Sequence, residues 1–310
     1  MNSLINLNLT EPITELVKVV RNGIGTLYEP RRIRKKAEAE AKAIEITEHA
    51  KTNAEIERRE RLNESNIRIY NRLITQEKNR QKNIDDIVDI AANQLKDEKE
   101  VPQDKVKADW ATRFFNTVQD ISDEEMKLIW GKLLAGEIKT PGSYSLRAIE
   151  LLKNLTSEEA LLFTEASKFA LRRSHEIIII QSDKINNDFG LTFDKILTLT
   201  DAGLLKPIID TAIDLAPLNG AEEVIFTYGN YAVKAIVKSE GQIATYIYTT
   251  AGSQIYKLID NPEVNLDYLR KVLQSISNDN VKFQIYKITK WNDFNDFDID
   301  EKSRIDINVD

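Results

Sequence analysis

VIFTYGNYAVKAIVKSEGQIATYIYTTAGSQIYKL, residues 224–258, decides the fold class. Apolar and polar side chains alternate along Val224–Tyr228, Tyr231–Val237 and Ile243–Tyr248, the period-two pattern of half-buried strands. Gly229-Asn230 and the neighbourhood of Glu240-Gly241 supply the turns between them. At Thr249 the pattern changes, and a threonine cap opens a helix through Leu258. Upstream, Ile177–Ile180 reads as a short buried strand and Phe193–Leu199 as a helix, closed by Asp201-Ala-Gly-Leu-Leu205. Downstream, Asn261-Pro-Glu opens a helix through Leu273, and Phe283–Ile288 makes a last strand. Helix, turn, hairpin and helix in that order predict a winged-helix-like α+β domain over residues 176–290. An acidic, partly disordered tail follows at 291–310.

Toward the N-terminus the chain turns helical. Pro102 opens residues 102–175, where Val106, Trp110, Phe114 and Val118 keep helical spacing. Ser122–Glu125 and Thr156–Glu159 have the form of capping boxes, and Thr140-Pro-Gly-Ser143 is a turn. The last helix of this region is read through ALLFTEASKFALRR, so residues 102–175 predict an antiparallel helical bundle. From Arg31 to Val101 there is neither glycine nor proline, and Ala, Glu, Lys and Arg dominate. Those residues lose little side-chain entropy in a helix, so 31–101 predicts one long charged stalk. A sustained heptad is missing over its whole length, and apolar residues return only from Leu62. The fold class is therefore α+β, predominantly helical.

Residues 1–30 hold the sharpest local feature. Thr10 caps a helix on which Ile13, Leu16, Val17, Val20, Ile24 and Leu27 recur along one face. After Pro30 come Arg31, Arg32, Arg34, Lys35 and Lys36, five positive charges in six residues. An amphipathic helix beside a polybasic cluster suits an anionic membrane surface or a protein partner. The alternative is packing of that helix on the body or on another subunit, with the basic run solvated. Residues 31–82 hold fifteen Lys/Arg against nine Asp/Glu, while the chain as a whole carries −7. A basic front on an acidic body bears directly on partners.

Chemistry is thinly represented. With no cysteine and two distant histidines, His49 and His175, thiolate and histidine-based metal centres or triads are not expected, and neither is a cofactor. Gly131-Lys132 lacks the upstream glycine of a phosphate loop. Glu137-Ile-Lys139 has a nuclease-like spacing without a preceding strand, and the Asp293–Asp300 carboxylates lack the pattern of a calcium loop. Phe193–Leu199, as a recognition helix, holds one lysine and one aspartate, a poor reader of DNA. Neither a run of about 18 apolar residues nor a secretory leader is recognisable, so a cytoplasmic location is expected.

Trp130–Lys139, Pro141–Ser145 and Leu152–Phe163 resemble a bacterial and prophage-borne family of unknown function, and more loosely the abortive-infection alpha family. Leu27–Lys36, Leu199–Leu205 and Tyr248–Ile255 resemble segments of the same uncharacterised family. The resemblance implies a part in phage defence and transfers no catalytic residue. The leading expectation is a non-enzymatic, homo-oligomeric defence protein, cytoplasmic or peripheral at the inner face of the membrane. It would engage a protein partner, phage-derived in one version, or an anionic membrane. A winged-helix nucleic-acid-binding regulator is the first alternative, and an effector nuclease with an unrecognised site the second.

Overall fold

The computed structural model describes residues 15–20, 53–98, 105–174, 176–208, 211–215, 223–238, 241–259, 263–293 and 296–307. Two compact units divide between Ile149 and Glu150. In the first, α1 (Asn53–Leu95) is a single helix of 43 residues, about 65 Å long at the usual rise. It is followed by α2 (Ala108–Val118) and α3 (Glu124–Lys139). Ile84, Ile87, Ala91 and Leu95, spaced three and four apart, are buried along one face of α1. α1 and α3 approach closely at Gly131, where an added Cβ would lie 2.3 Å from the Ile90 side chain. The aromatic centre of the unit is Phe114, stacked on Trp110 at 5.1 Å and edge-on to Phe115 and Trp130. Asp123, one residue beyond the expected cap, receives the Met126 N–H and starts α3.

α4 (Leu146–Asn154) spans the division between the units, and α5 (Ser157–Ser167) opens the remainder of the second. Thr156 and Glu159 form the expected reciprocal capping box. The helix does not run to Arg173 as its composition suggests. It ends at Ser167, and the chain enters β1 (Leu171–Arg173), which turns through Ser174 at φ 52° into β2 (Glu176–Ile180). α6 (Asp183–Asp188) and α7 (Phe193–Asp201) lead to β3 (Ala212–Leu215), β4 (Glu223–Tyr228), β5 (Tyr231–Val237) and β6 (Gly241–Ile247). α8 (Thr250–Tyr256), α9 (Leu266–Ile276), β7 (Val281–Asp293) and β8 (Asp296–Ile307) complete the unit.

The eight strands form one antiparallel sheet in the order β3-β6-β2-β1-β4-β5-β7-β8. β2, β6 and β3 are neighbours, with α6 and α7 in the β2–β3 connection, within a mixed α+β fold. The sequence reading took 224–237 as part of a wing beside these strands. The Gly229 hairpin instead carries β4 and β5 away from it, to β1 and β7. One face of the sheet packs α9, α6 and the side chains of Phe226, Tyr228, Val233, Phe283 and Ile285 into a single core. The Tyr268 hydroxyl donates to Asn186, which in turn donates to the Ile180 carbonyl, joining α9 and α6 to the end of β2.

The acidic tail is also corrected. Residues 296–307 are β8, paired with β7 from Asp296 to Ile307. Phe297 and Ile299 pack with Ala232, Tyr286 and Ile288, while Ile305 and Ile307 join the main core on the other face, the register shift between Ile285 and Lys287 separating the two pairs.

Candidate interaction surface

Of the predicted N-terminal face, the structure describes Leu16, Val17 and Val20. Leu16 is buried, Val20 is half-buried and Val17 is 45% exposed, while Val19, absent from the predicted set, is buried. Val19 borders a small pocket with Lys105, Val106, Ala108 and Ala111 at the start of α2. This turn thus packs against its own unit. Ile13, Ile24, Leu27, Arg31, Arg32, Arg34, Lys35 and Lys36 lie outside the described residues, as do His49 and His175.

α1 presents a second surface. Its C-terminal half is covered, yet Ile67 is 51% exposed, Ile69 46%, Tyr70 48% and Leu73 39%. Burying such side chains contributes about 1.5–3 kcal/mol each, so leaving four in water on one helix is costly for a free chain. Next to them, at the point where α1 enters the body, is a groove of about 580 Å³. Asn71, Arg72, Gln76 and Asn79 line it on α1, and Gln119 and Ser122 on the facing turn. Arg80 closes its floor through two contacts to Asp120, at 2.7 and 3.1 Å. The sequence had shown both ingredients, the returning apolar residues and the basic run, but not where the body stops covering the helix.

Charges anchor the base of α1. The buried Lys127 ammonium on α3 donates to Asp86 at 2.7 Å and to Glu124 at 2.8 Å, and Lys82 reaches the same Asp86 oxygen at 3.2 Å. The Lys127 hydrogen bond holds the Asp86 carboxyl below its ordinary 3.8, and the Asp86 hydrogen bond holds Lys127 above 10.5. A lowered carboxyl contributes stability above its unfolded value and loses it as pH falls through the folded one. The stability difference between the wild type and Asp86→Asn should therefore be full above pH 3.8 and shrink below it. Denaturant midpoints collected from pH 6 to pH 3 test this, and a difference that does not change with pH would contradict the pairing.

The nuclease-like Glu137-Ile-Lys139 spacing is used structurally. Glu137 is buried and accepts the N–H groups of Gly142 at 2.7 Å and Tyr144 at 3.0 Å, while Trp110 donates to the Tyr144 carbonyl at 2.8 Å. Burial pushes the Glu137 carboxyl up, and its oxygens are used to pin the 140–143 turn. Lys139 pairs with Glu98, so the Glu-x-Lys spacing does not converge on a site. Among the described residues no group of three or more metal-ligating side chains occurs. On α7, Phe193 and Leu197 are open, Asp194 and Asp201 are exposed, and Lys195 pairs with Glu165 at 3.1 Å. That surface is acidic and apolar, unsuited to phosphates.

Two segments that carried the family resemblance turn out to be partners. The Thr249 hydroxyl accepts the Gly252 N–H at 2.9 Å and donates to the Gly203 carbonyl at 2.8 Å. The Thr249 N–H donates to the Leu204 carbonyl, and Leu205 bridges to Tyr248. Residues 199–205 and 248–255 thus clasp each other, which explains motifs without chemistry. Among the described residues no helix is long and apolar enough to cross a membrane. Neither a curated protein nor a solved structure matches the chain. A family does match residues 67–273, from the exposed part of α1 to α9 and across both units, so the chain belongs to the family described as "Protein of unknown function (DUF2806)".

Proposed function

We infer that this chain works without catalysis of its own, as a self-associating protein that engages a protein partner in phage–host conflict. The observation that carries the reading is the uncovered apolar group on α1, Ile67, Tyr70 and Leu73, beside Arg68 and Arg72. An apolar surface of this kind, kept on a rigid element, is the usual mark of an association site. The defence setting rests on the looser sequence resemblance of Trp130–Lys139 and Leu152–Phe163 to the abortive-infection alpha family. The inward turn of Leu16 and Val19 favours packing on their own unit over a lipid surface for residues 15–20.

Mass determination in solution and liposome co-sedimentation test this together, on the full chain and on a variant lacking residues 1–36, at low and high salt. The expected result is an oligomer with little affinity for anionic vesicles, in cells that plate phage less efficiently when they make the protein. Salt-sensitive vesicle binding that the deletion abolishes would move the reading to a membrane surface. Hydrolysis of nucleotide or nucleic acid, lost on one polar substitution, would overturn it.

A further inference from the structure

Two open helix faces of this chain complement each other, one in each unit. Along α1, Ile69 and Leu73 stand one turn apart and exposed, and Arg68 and Arg72 form the exposed row beside them. Residues 65–76 contain those two arginines and no acid. Along α7, Phe193 and Leu197 also stand one turn apart and exposed, with Asp194 and Asp201 in the neighbouring exposed row. Ile196 and Leu199 bury the opposite side of α7 in the second unit. Each face thus sets an apolar row against a charged one, and the two charges are opposite. The sizes agree too: a helix of nine residues is about 14 Å long, and Asn66–Gln76, with only Ile74 half-covered, spans about 16 Å.

We propose that the α7 face of one copy docks on the open part of α1 of a second copy, with the two helices parallel. The proposal rests on the self-association reading above and names its contact. Ile69 and Leu73 meet the partner's Phe193 and Leu197. Arg68 and Arg72 then lie about 3 Å to either side of the partner's Asp194 along the axis. The partner's Asp201 comes opposite Gln76, an amide donor that lines the groove at the base of the open stretch. Because each copy brings one α1 and one α7, the contact is head-to-tail, and repetition builds a ring or a filament.

The order of the rows selects the orientation. Seen from the N-terminus, the arginines of α1 lie anticlockwise of its apolar row, whereas the aspartates of α7 lie clockwise of theirs. Facing helices that run parallel therefore join apolar to apolar and arginine to aspartate. Running antiparallel, they would set the arginines on Phe193 and Leu197 and the aspartates on Ile69 and Leu73.

Charge reversal at these exposed positions provides the test. A variant with Arg68→Glu and Arg72→Glu, and another with Asp194→Lys and Asp201→Lys, should each weaken self-association about tenfold. All four exchanges in one chain should restore it. An equimolar mixture of the two variants should restore it as well, since each helix then finds its opposite charge in the other protein. Sedimentation equilibrium reads these masses, with helix content by circular dichroism as the folding control. The chain has no cysteine, so orientation is read by disulfide formation between mixed copies. Leu73→Cys should cross-link to Leu197→Cys in higher yield than to Phe193→Cys, and the reverse order would overturn the parallel arrangement. An oligomer indifferent to charge reversal, or weakened by it without rescue, would overturn this contact and leave self-association standing. A wild-type mass of one chain would overturn the contact and the self-association reading together.

Discussion

Phe114→Ala should cost the first unit about 3–5 kcal/mol, the range for deleting a fully buried aromatic side chain. Phe114 has no exposed surface, and its ring touches Trp110, Phe115 and Trp130. These come from both α2 and α3, so the void left by its removal has rigid walls that cannot easily close in. Loss of aromatic contact geometry adds to the lost burial. Urea unfolding followed by tryptophan fluorescence is a direct measurement, because two of the three tryptophans line the cavity. A loss below about 1 kcal/mol would show that α2 and α3 do not derive their packing from this ring. Ile69→Ala, on the open part of α1, is the comparison and should change stability by less than about 0.5 kcal/mol.

Gly252→Ala should destabilise the second unit by about 3 kcal/mol, the upper end of what overpacking a filled interior costs. A Cβ at this position would stand 2.2 Å from the Leu204 carbonyl oxygen. That atom is backbone, held by the Thr249 N–H, so no side-chain rotation relieves the clash. Either α8 shifts away or the 199–205 turn opens, and both break the Thr249 hydrogen bonds that close the clasp. Thermal unfolding of Gly252→Ala beside Ser253→Ala, its half-buried neighbour in sequence, isolates the effect. Equal midpoints for the two would mean that the close approach is not needed.

How far the sequence could be read followed from which signals are local. Thr156, Thr249 and Gly229-Asn230 were found because a cap or a turn involves only a few neighbouring residues. The end of α5 was missed because ALLFTEASKFALRR keeps good helix formers on both sides of the true boundary. What stops the helix is non-local: Leu171 and Arg172 are recruited by β2 and β4. β8 was hidden by its carboxylates, although Phe297, Ile299, Ile305 and Ile307 kept the alternation that marks a strand. For the surface, the basic and apolar residues of α1 were legible one by one. Which of them remain uncovered depends on where α3 and the turn after α2 end against the helix, and local spacing carries no such information.

The placement of β8 has a consequence for the state of the protein in concentrated solution. It is the last strand of the sheet, and an outer strand offers a free row of amide and carbonyl groups onto which a stranger's strand can add. Here the row is fringed by Asp296, Asp298, Asp300, Glu301 and Asp306, and its pairing with β7 slips in register at three points. Repulsion and irregular spacing together deny a flat template to neighbouring molecules. Neutralising those carboxylates removes the repulsion but not the strand, so acid that leaves the sheet folded strips the margin of its guard against edge-to-edge pairing.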